Sequence, residues 1–131
     1  MTAKEILTTC RAAVLELHKL DDQLARCLPT GRPSGVKAQQ YDAALPGTND
    51  PTSAAIQLYE GLMAQREEQL LRVSRITKTA WNVIRAVQDP RALVILNHYY
   101  LLGMTDHEIS NRQELSRSLV CEIRHRAFEQ L

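Results

Sequence analysis

Aromatic residues, cysteine pairs and an excess of one charge are scarce or absent in this sequence of 131 residues. Aromatic side chains make up 5% of it, with a single Phe and a single Trp, which disfavours large β-sandwiches and aromatic-lined ligand sites. The three cysteines form no CxxC pair, so neither a disulfide framework nor a zinc knuckle is indicated. A formal net charge of +1 excludes a histone-like polycation and gives no global reason to bind nucleic acid or an anionic membrane.

We expect neither a targeting segment nor a membrane segment from the sequence pattern. The first residues, MTAKEILTTCRAAVLELHKLDD, scatter charges through the stretch where a signal peptide has its apolar core. No run of about 18 apolar residues is present to cross a bilayer, so we expect no membrane partner. Together with the unpaired cysteines, these absences predict a reduced, cytoplasmic setting.

Signatures of catalysis and of cofactor binding are absent as well. The chain has no GxxxxGK[ST], GxGxxG or GxSxG motif, so phosphate cradles and the nucleophile elbow have no support. His125 follows Cys121 by four residues, a spacing that suits a metal ion, but no third ligand is apparent in the sequence. We therefore expect no catalytic residue, no cofactor and no metal.

The residues that are present favour an all-α protein, because Ala, Leu, Arg, Glu and Gln are abundant and 44% of the chain is hydrophobic. Four of the five prolines and three of the five glycines lie between residues 29 and 51. This break separates two helical stretches by an irregular connector over residues 29–53. Three interpretations of the connector are open: a short helix around Gln39–Leu45, disorder, or a functional loop.

Two apolar heptad patterns, here called seams, flank the connector. The first seam, within residues 3–28, is interrupted only at Asp21, whereas the second, within 54–88, has Arg66 and Thr77 at two of its positions. The apolar members of the first seam are Leu7, Cys10, Val14, Leu17, Leu24 and Leu28. Those of the second seam are Ile56, Tyr59, Met63, Leu70, Val73, Ala80, Ile84 and Val87. We expect an antiparallel helical hairpin or coiled coil whose excess length favours a homo-oligomer, simplest as a dimer, with packing inside a monomeric bundle as the alternative.

A second break, at Asp89-Pro90, separates this hairpin over residues 1–88 from a C-terminal part over residues 89–131. Asp89 suits a helix N-cap and Pro90 suits a first helical position, so one helix ends and another begins there. We expect Trp81 to pack where the long second helix meets the C-terminal part.

The C-terminal part has the sequence pattern of a helix-turn-helix. Three helices are predicted in it, over residues 91–102, 106–112 and 117–130. Gly103 permits the left-handed turn that ends the first of them. Thr105 and Glu108 form a capping box at the start of the second helix, and Ser116 caps the third after a break at Leu115.

The run RALVILNHYYLLGMTDHEISNRQELSRSLVCEIRHRAFEQL resembles region 4 of sigma-70-type factors and, more closely, the sigma-like helix-turn-helix of phage transcriptional regulators of the ArpU/RinA late-gene-activator type. The matching positions are Leu96, Tyr99, Gly103, Thr105, Glu108, Ile109, Leu115, Ser116, Val120, Ala127 and Leu131. Ser110, His98 and Asp106-His107 depart from the usual residues of these families. The resemblance covers about a third of the chain and implies a DNA-binding transcriptional regulator, of phage or prophage origin, that acts on RNA polymerase at promoters.

The residues expected to contact DNA lie mainly on the last helix. Its apolar side is formed by Val120, Ile123 and Ala127. At about 100° per residue, the opposite side carries Ser118, Glu122 and His125, flanked by Arg117 and Cys121, and these five residues are here called the reading face. Arg117 is suited to a guanine edge or a phosphate, Ser118 to several bases and Glu122 to a cytosine amino group. The predicted DNA-binding set is completed by Ser116 and by three candidate phosphate contacts, Arg112, Arg124 and Arg126.

The charge of the C-terminal part argues against strong binding of double-stranded DNA by a single copy. Residues 89–131 hold five Arg and six Asp/Glu, whereas DNA-binding domains are usually basic. A dimer would bring two reading faces to two half-sites. Two other functions stay open: a phage packaging protein like a small terminase subunit, and a coiled-coil adaptor whose last helices bind protein.

Overall fold

The computed structural model describes residues 1–27 and 51–131, and within these ranges the protein is all-α, without strands. The helices are α1 (Ala3–Cys27), α2 (Pro51–Ile84), α3 (Pro90–Leu96), α4 (Asp106–Gln113) and α5 (Arg117–Glu129). The predicted connector over 29–53 lies almost entirely outside the described residues, as does Leu28 of the first seam. None of the described helices is both long and apolar enough to cross a membrane.

The described chain forms two compact units. Unit 1 consists of residues 1–16 and 71–131, and unit 2 consists of residues 17–70. The sequence predicts a division between residues 88 and 89, with self-association assigned to residues 1–88 and DNA binding to residues 89–131. This assignment of roles remains a prediction.

Unit 1 has a core in which the N-terminal part of α1 packs against the last turns of α2 and the C-terminal helices. Its buried members are Leu7, Cys10, Val14, Ala80, Ile84, Ala92, Leu96, Tyr100 and Ala127. The Cys10 Sγ lies 3.9 Å from the Thr77 Oγ1, so the polar position of the second seam faces the small thiol of the first. Burial raises the pKa of the Cys10 thiol. Each fully buried Leu or Ile stabilises the unit by about 1.5–3 kcal/mol.

A second apolar cluster of unit 1 joins the three C-terminal helices to one another. Ile95 of α3, Ile109 of α4 and Val120 of α5 have no exposed surface. Met104 and Leu115, which flank α4 on either side, pack against this cluster. One buried side chain from each helix therefore fixes the three short helices, none of which is long enough to be stable alone.

The ends of the short helices follow the predicted capping residues. Asp89 accepts a hydrogen bond of 3.0 Å from the Arg91 N–H, and Pro90 occupies the first turn of α3. Gly103 has φ 72°, the left-handed conformation that its missing Cβ permits. In the predicted capping box, the Thr105 hydroxyl accepts from the Glu108 N–H, and the Glu108 carboxylate accepts from the Thr105 N–H. These predictions are confirmed.

The helix predicted over 91–102 is not a single α-helix. Its second half, Asn97–Leu101, is a π-helical turn in which the backbone ring is one residue wider. The turn closes with a 3.2 Å hydrogen bond from the Leu102 N–H to the Asn97 carbonyl. This turn ends two residues before Gly103 and so precedes the start of α4.

Unit 2 contains the charged interruptions of both seams. The Arg66 Nε donates to the Asp21 Oδ1 at 2.5 Å, so the two residues that break the apolar patterns pair with each other. Leu24 of the first seam is buried here, as is Leu20, which lies outside the seam. Both ionic side chains are about a third or more exposed, so this pair contributes little stability and mainly satisfies two charges beside the apolar residues.

Several apolar side chains of α2 are exposed. Trp81 is 41% exposed, which corrects the expectation that it packs against the C-terminal part. Ile56 and Leu70, both members of the second seam, are 51% and 40% exposed. The second seam is therefore only partly used for packing within the described chain.

Candidate nucleic-acid interface

The turn between α4 and α5 is short and held by local hydrogen bonds. Glu114 has φ 56°, a left-handed conformation that is uncommon for a residue with a Cβ. The Ser110 hydroxyl donates to the Leu115 carbonyl at 2.5 Å, and the Leu115 N–H donates to the Ser110 carbonyl at 3.1 Å. The Ser116 hydroxyl then accepts from the Leu119 N–H and caps α5. Ser110 thus stabilises the turn through these two hydrogen bonds with Leu115. A serine at this position is one of the departures from the resembled families.

The reading face lies at the surface of α5. Arg117, Ser118, Glu122 and His125 are exposed, and Cys121 is half-buried at their edge. Of the residues predicted beside this face, three are also exposed: Arg112, Ser116 and Arg126. The side of α5 that faces inward carries Val120 and Ala127, as the spacing predicts. The structure therefore places these predicted residues where another molecule has access to them.

Two residues of the predicted DNA-binding set form an ion pair with each other. The Arg126 Nη2 donates to the Glu122 Oε1 at 2.6 Å, one helical turn apart, and both side chains are about two-thirds exposed. An exposed pair of this kind contributes only about 0.3–0.5 kcal/mol. Because the pair is weak, either partner is able to exchange it for a base or a phosphate at small energetic cost.

Arg124 does not belong to the exposed set. It is buried, and its guanidinium donates two hydrogen bonds to the Asp106 carboxylate, from Nε at 2.9 Å and from Nη2 at 2.8 Å. These hydrogen bonds hold the pKa of Asp106 below its ordinary range and raise that of Arg124. The expectation that Arg124 contacts phosphate is therefore corrected, because its charge is already neutralised inside unit 1.

A cluster of cations and tyrosines surrounds this ion pair, and sequence reasoning missed it. The guanidinium carbons of Arg124 and Arg11 lie 4.0 and 3.7 Å from the centroid of the Tyr99 ring. The Arg11 Nη1 also donates to the carbonyls of Tyr99 and Met104, at 2.5 and 3.0 Å. Arg11 thus connects α1 to the backbone directly before α4.

Tyr100 points into the core instead of outward. Its ring stacks on Phe128 at 5.5 Å between centroids, and only 6% of the residue is exposed. Burial raises the pKa of the Tyr100 phenol, and the nearby Arg124 guanidinium offsets this only in part. Tyr100 is therefore a core residue, as was expected for at least one of the two adjacent tyrosines.

Most acidic residues of the C-terminal part are engaged by local partners. Asp106 binds Arg124, Glu122 binds Arg126, Glu129 binds Lys4, and Asp89 and Glu108 accept backbone N–H groups at helix starts. By contrast, Arg112 and Arg117 form no ion pair within the described ranges. The pair of Glu129 with Lys4, which lies outside residues 89–131, thus offsets the single acidic excess of this part, and Arg112 and Arg117 remain exposed to the solvent.

Across residues 1–27 and 51–131, no three His, Cys, Asp or Glu side chains are grouped so as to hold a metal ion. The chain matches no protein-family model, no curated protein and no solved structure.

Proposed function

We propose that this protein binds duplex DNA through a helix-turn-helix formed by α4, the turn at Glu114-Leu115 and α5. The observation that carries the proposal is the exposed reading face on the first two turns of a capped helix. The same helix is fixed from behind by Val120 and by the Arg124–Asp106 pair. Such a helix presents its N-terminal residues to base edges in the major groove, while the preceding helix crosses the phosphate backbone.

Each residue of the set has a role that follows from its donors, acceptors and exposure. Arg117 at the start of α5 is suited to two hydrogen bonds with a guanine edge, and Ser118 to one with several bases. Glu122 accepts a cytosine amino group once Arg126 turns to a phosphate. Arg112 is a second phosphate contact. Ser116 positions α5 through its cap, and Cys121 and His125 border the reading face.

The biological role that we propose is regulation of transcription. The resemblance of the C-terminal part to sigma region 4 and to phage regulators implies action on RNA polymerase at promoters, in a phage or prophage. The match of those positions to helix ends and core residues, such as Gly103, Thr105 and Ile109, supports the resemblance. In this role the protein changes the rate of the polymerase and catalyses no reaction itself.

A dimer is part of the proposal, because one copy offers few cations to DNA. The contacts of Cys10 with Thr77 in unit 1 and of Asp21 with Arg66 in unit 2 support an N-terminal helical hairpin. In unit 2, the exposed Ile56 and Leu70 of α2 are fourteen residues apart and so lie within about 40° of one another around the helix. A second copy is the occupant that this apolar side of α2 suits best.

Selection of DNA tests the function without a known operator. The full chain is immobilised, incubated with sheared genomic duplexes at moderate salt, and the retained fragments are sequenced. A recurring site with two half-sites about one helical turn apart supports a dimeric reader. Uniform retention of all fragments contradicts sequence-specific binding of duplex DNA, and so does capture of polymerase with no DNA. Large ring assemblies in solution would favour a packaging protein instead.

A further inference from the structure

A second surface of unit 1, on the last part of α2, is cationic and carries an exposed aromatic ring. Residues 71–88 contain four Arg or Lys and no Asp or Glu. All four are exposed, and three of them, Arg75, Lys78 and Arg85, are here called the cationic stripe. None of the three forms an ion pair within the part of the chain that the structure describes.

The spacing of the cationic stripe places its members on one side of the helix. Arg75, Lys78, Asn82 and Arg85 follow one another at intervals of three, four and three residues, which is the repeat of a single helix face. The Arg85 N–H still donates to the Trp81 carbonyl at 2.9 Å, so Arg85 continues the helical register past the end of α2. The stripe is about 15 Å long at 1.5 Å per residue, which is long enough to face several consecutive phosphates of one nucleic-acid strand.

Trp81 lies between two cations of the stripe. It follows Lys78 by three residues and precedes Arg85 by four, so both are its neighbours on the helix surface. An indole that is 41% exposed and flanked by cations is suited to stacking on an unpaired base while the cations contact the adjoining phosphates. We propose that Trp81 and the cationic stripe form a second nucleic-acid contact, which binds single-stranded nucleic acid through backbone phosphates and one stacked base.

The same surface suits a lipid membrane less well. A helix that lies on a bilayer needs a continuous apolar face beside its cations. Here the exposed large apolar residues of the stretch are Leu71 and Trp81, which are ten residues apart and differ by about 80° around the helix axis. Polar residues, such as Ser74 and Lys78, occupy the positions between them.

Trp81 is the only tryptophan of the chain, so its fluorescence reports directly on this surface. We expect a short oligothymidylate to quench the fluorescence of the full chain in a saturable manner, because a stacked base quenches the indole. Each phosphate contact to a single strand adds about 0.7 to the salt dependence of log K. The variant Lys78→Ala/Arg85→Ala should therefore bind at least tenfold more weakly and lower that slope by about 1.4.

The control variant is Arg26→Ala/Arg91→Ala, which removes two exposed cations outside both the cationic stripe and the reading face. It should quench like the wild type. With a labelled oligothymidylate, Trp81→Phe should retain most of the affinity, whereas Trp81→Ala should lose about fivefold to a hundredfold. All substituted side chains are exposed, so circular dichroism should be unchanged.

The inference is overturned if oligothymidylate leaves the wild-type fluorescence unchanged, or if the stripe variant and the control bind equally. It is also overturned if only vesicles of phosphatidylglycerol and phosphatidylcholine change the emission. If substitution of Arg117 abolishes duplex binding but leaves quenching by oligothymidylate unchanged, the two surfaces bind nucleic acid independently. The proposed function and this second contact can therefore fail independently.

Discussion

The guanidinium of Arg124 holds the carboxylate of Asp106 through two hydrogen bonds, of 2.9 and 2.8 Å, across the turn that joins α4 to α5. The two residues are eighteen positions apart, Asp106 at the start of α4 and Arg124 within α5. Both side chains are less than a fifth exposed, at 11% and 17%. The pair therefore constrains how α5, and with it the reading face, is oriented on α4.

Removing one partner of this pair should destabilise unit 1 strongly. We expect Arg124→Ala to lower the free energy of unfolding by about 3 kcal/mol, because it leaves the Asp106 carboxylate mostly buried and unpaired. Urea unfolding measures the change. The matched control is Arg126→Ala, which breaks the exposed pair with Glu122 and should cost less than about 0.5 kcal/mol. Equal losses in the two variants would show that burial of the Arg124 pair contributes nothing.

The same pair predicts how stability depends on pH. Hydrogen bonds from Arg124 lower the pKa of Asp106 below its ordinary value of 3.8, so the unfolded chain takes up this proton first as the pH falls. The stabilisation is present above about pH 4 and is lost as the pH falls through the lowered pKa of the folded state. Asp106→Asn should therefore flatten the decline of the unfolding free energy below pH 4. A decline as steep as that of the wild type would contradict the assignment.

The capping box of α4 gives a prediction about local stability. Thr105→Ala removes the hydroxyl that accepts the Glu108 N–H and should cost about 1 kcal/mol in thermal or urea unfolding. Thr79→Ala is the control, since Thr79 is exposed within α2 and Ala has the higher helix propensity. Its unfolding free energy should stay the same or rise slightly. A loss in the control as large as that of Thr105→Ala would argue against the cap.

The helix ends could be predicted from the sequence because the interactions that form them are local. Asp89, Thr105 and Ser116 each cap a helix through a hydrogen bond to an N–H two or three residues ahead. Gly103 needs only its own φ angle to end the preceding segment. Such contacts depend on a few adjacent residues, so the pattern of residue types is sufficient to place them.

Contacts across helices were harder to predict. Arg124 lies four residues after Val120 and three before Ala127, a spacing that already places it on the buried side of α5. Its partner Asp106 is on another helix, and nothing in the local sequence indicates the pair. Trp81 was expected to pack where α2 meets the C-terminal part, yet it is 41% exposed and does not pack against the core of unit 1. The wide turn at Asn97–Leu101 has no distinctive residue pattern either.

Self-association should depend on the exposed apolar side of α2 in unit 2. Leu70→Glu puts a charge at a position that is 40% exposed, so it should leave the fold intact and lower the mass measured by light scattering. Gln57→Glu, an exposed position that carries no apolar side chain, is the control and should keep the wild-type mass. An unchanged mass for Leu70→Glu would contradict a dimer formed by this side of α2.

The most direct measurement of the central claim, that the reading face binds duplex DNA, compares two arginines in the first turns of helices. Arg117 begins α5 on the reading face, and Arg91 lies in the first turn of α3, outside it; both are exposed. Affinity for a selected duplex is measured by fluorescence anisotropy over a range of salt. Arg117→Ala should weaken binding about fivefold to a hundredfold, as expected for loss of a base contact, while Arg91→Ala binds like the wild type. Equal affinities for Arg117→Ala and Arg91→Ala would contradict the assignment of the reading face.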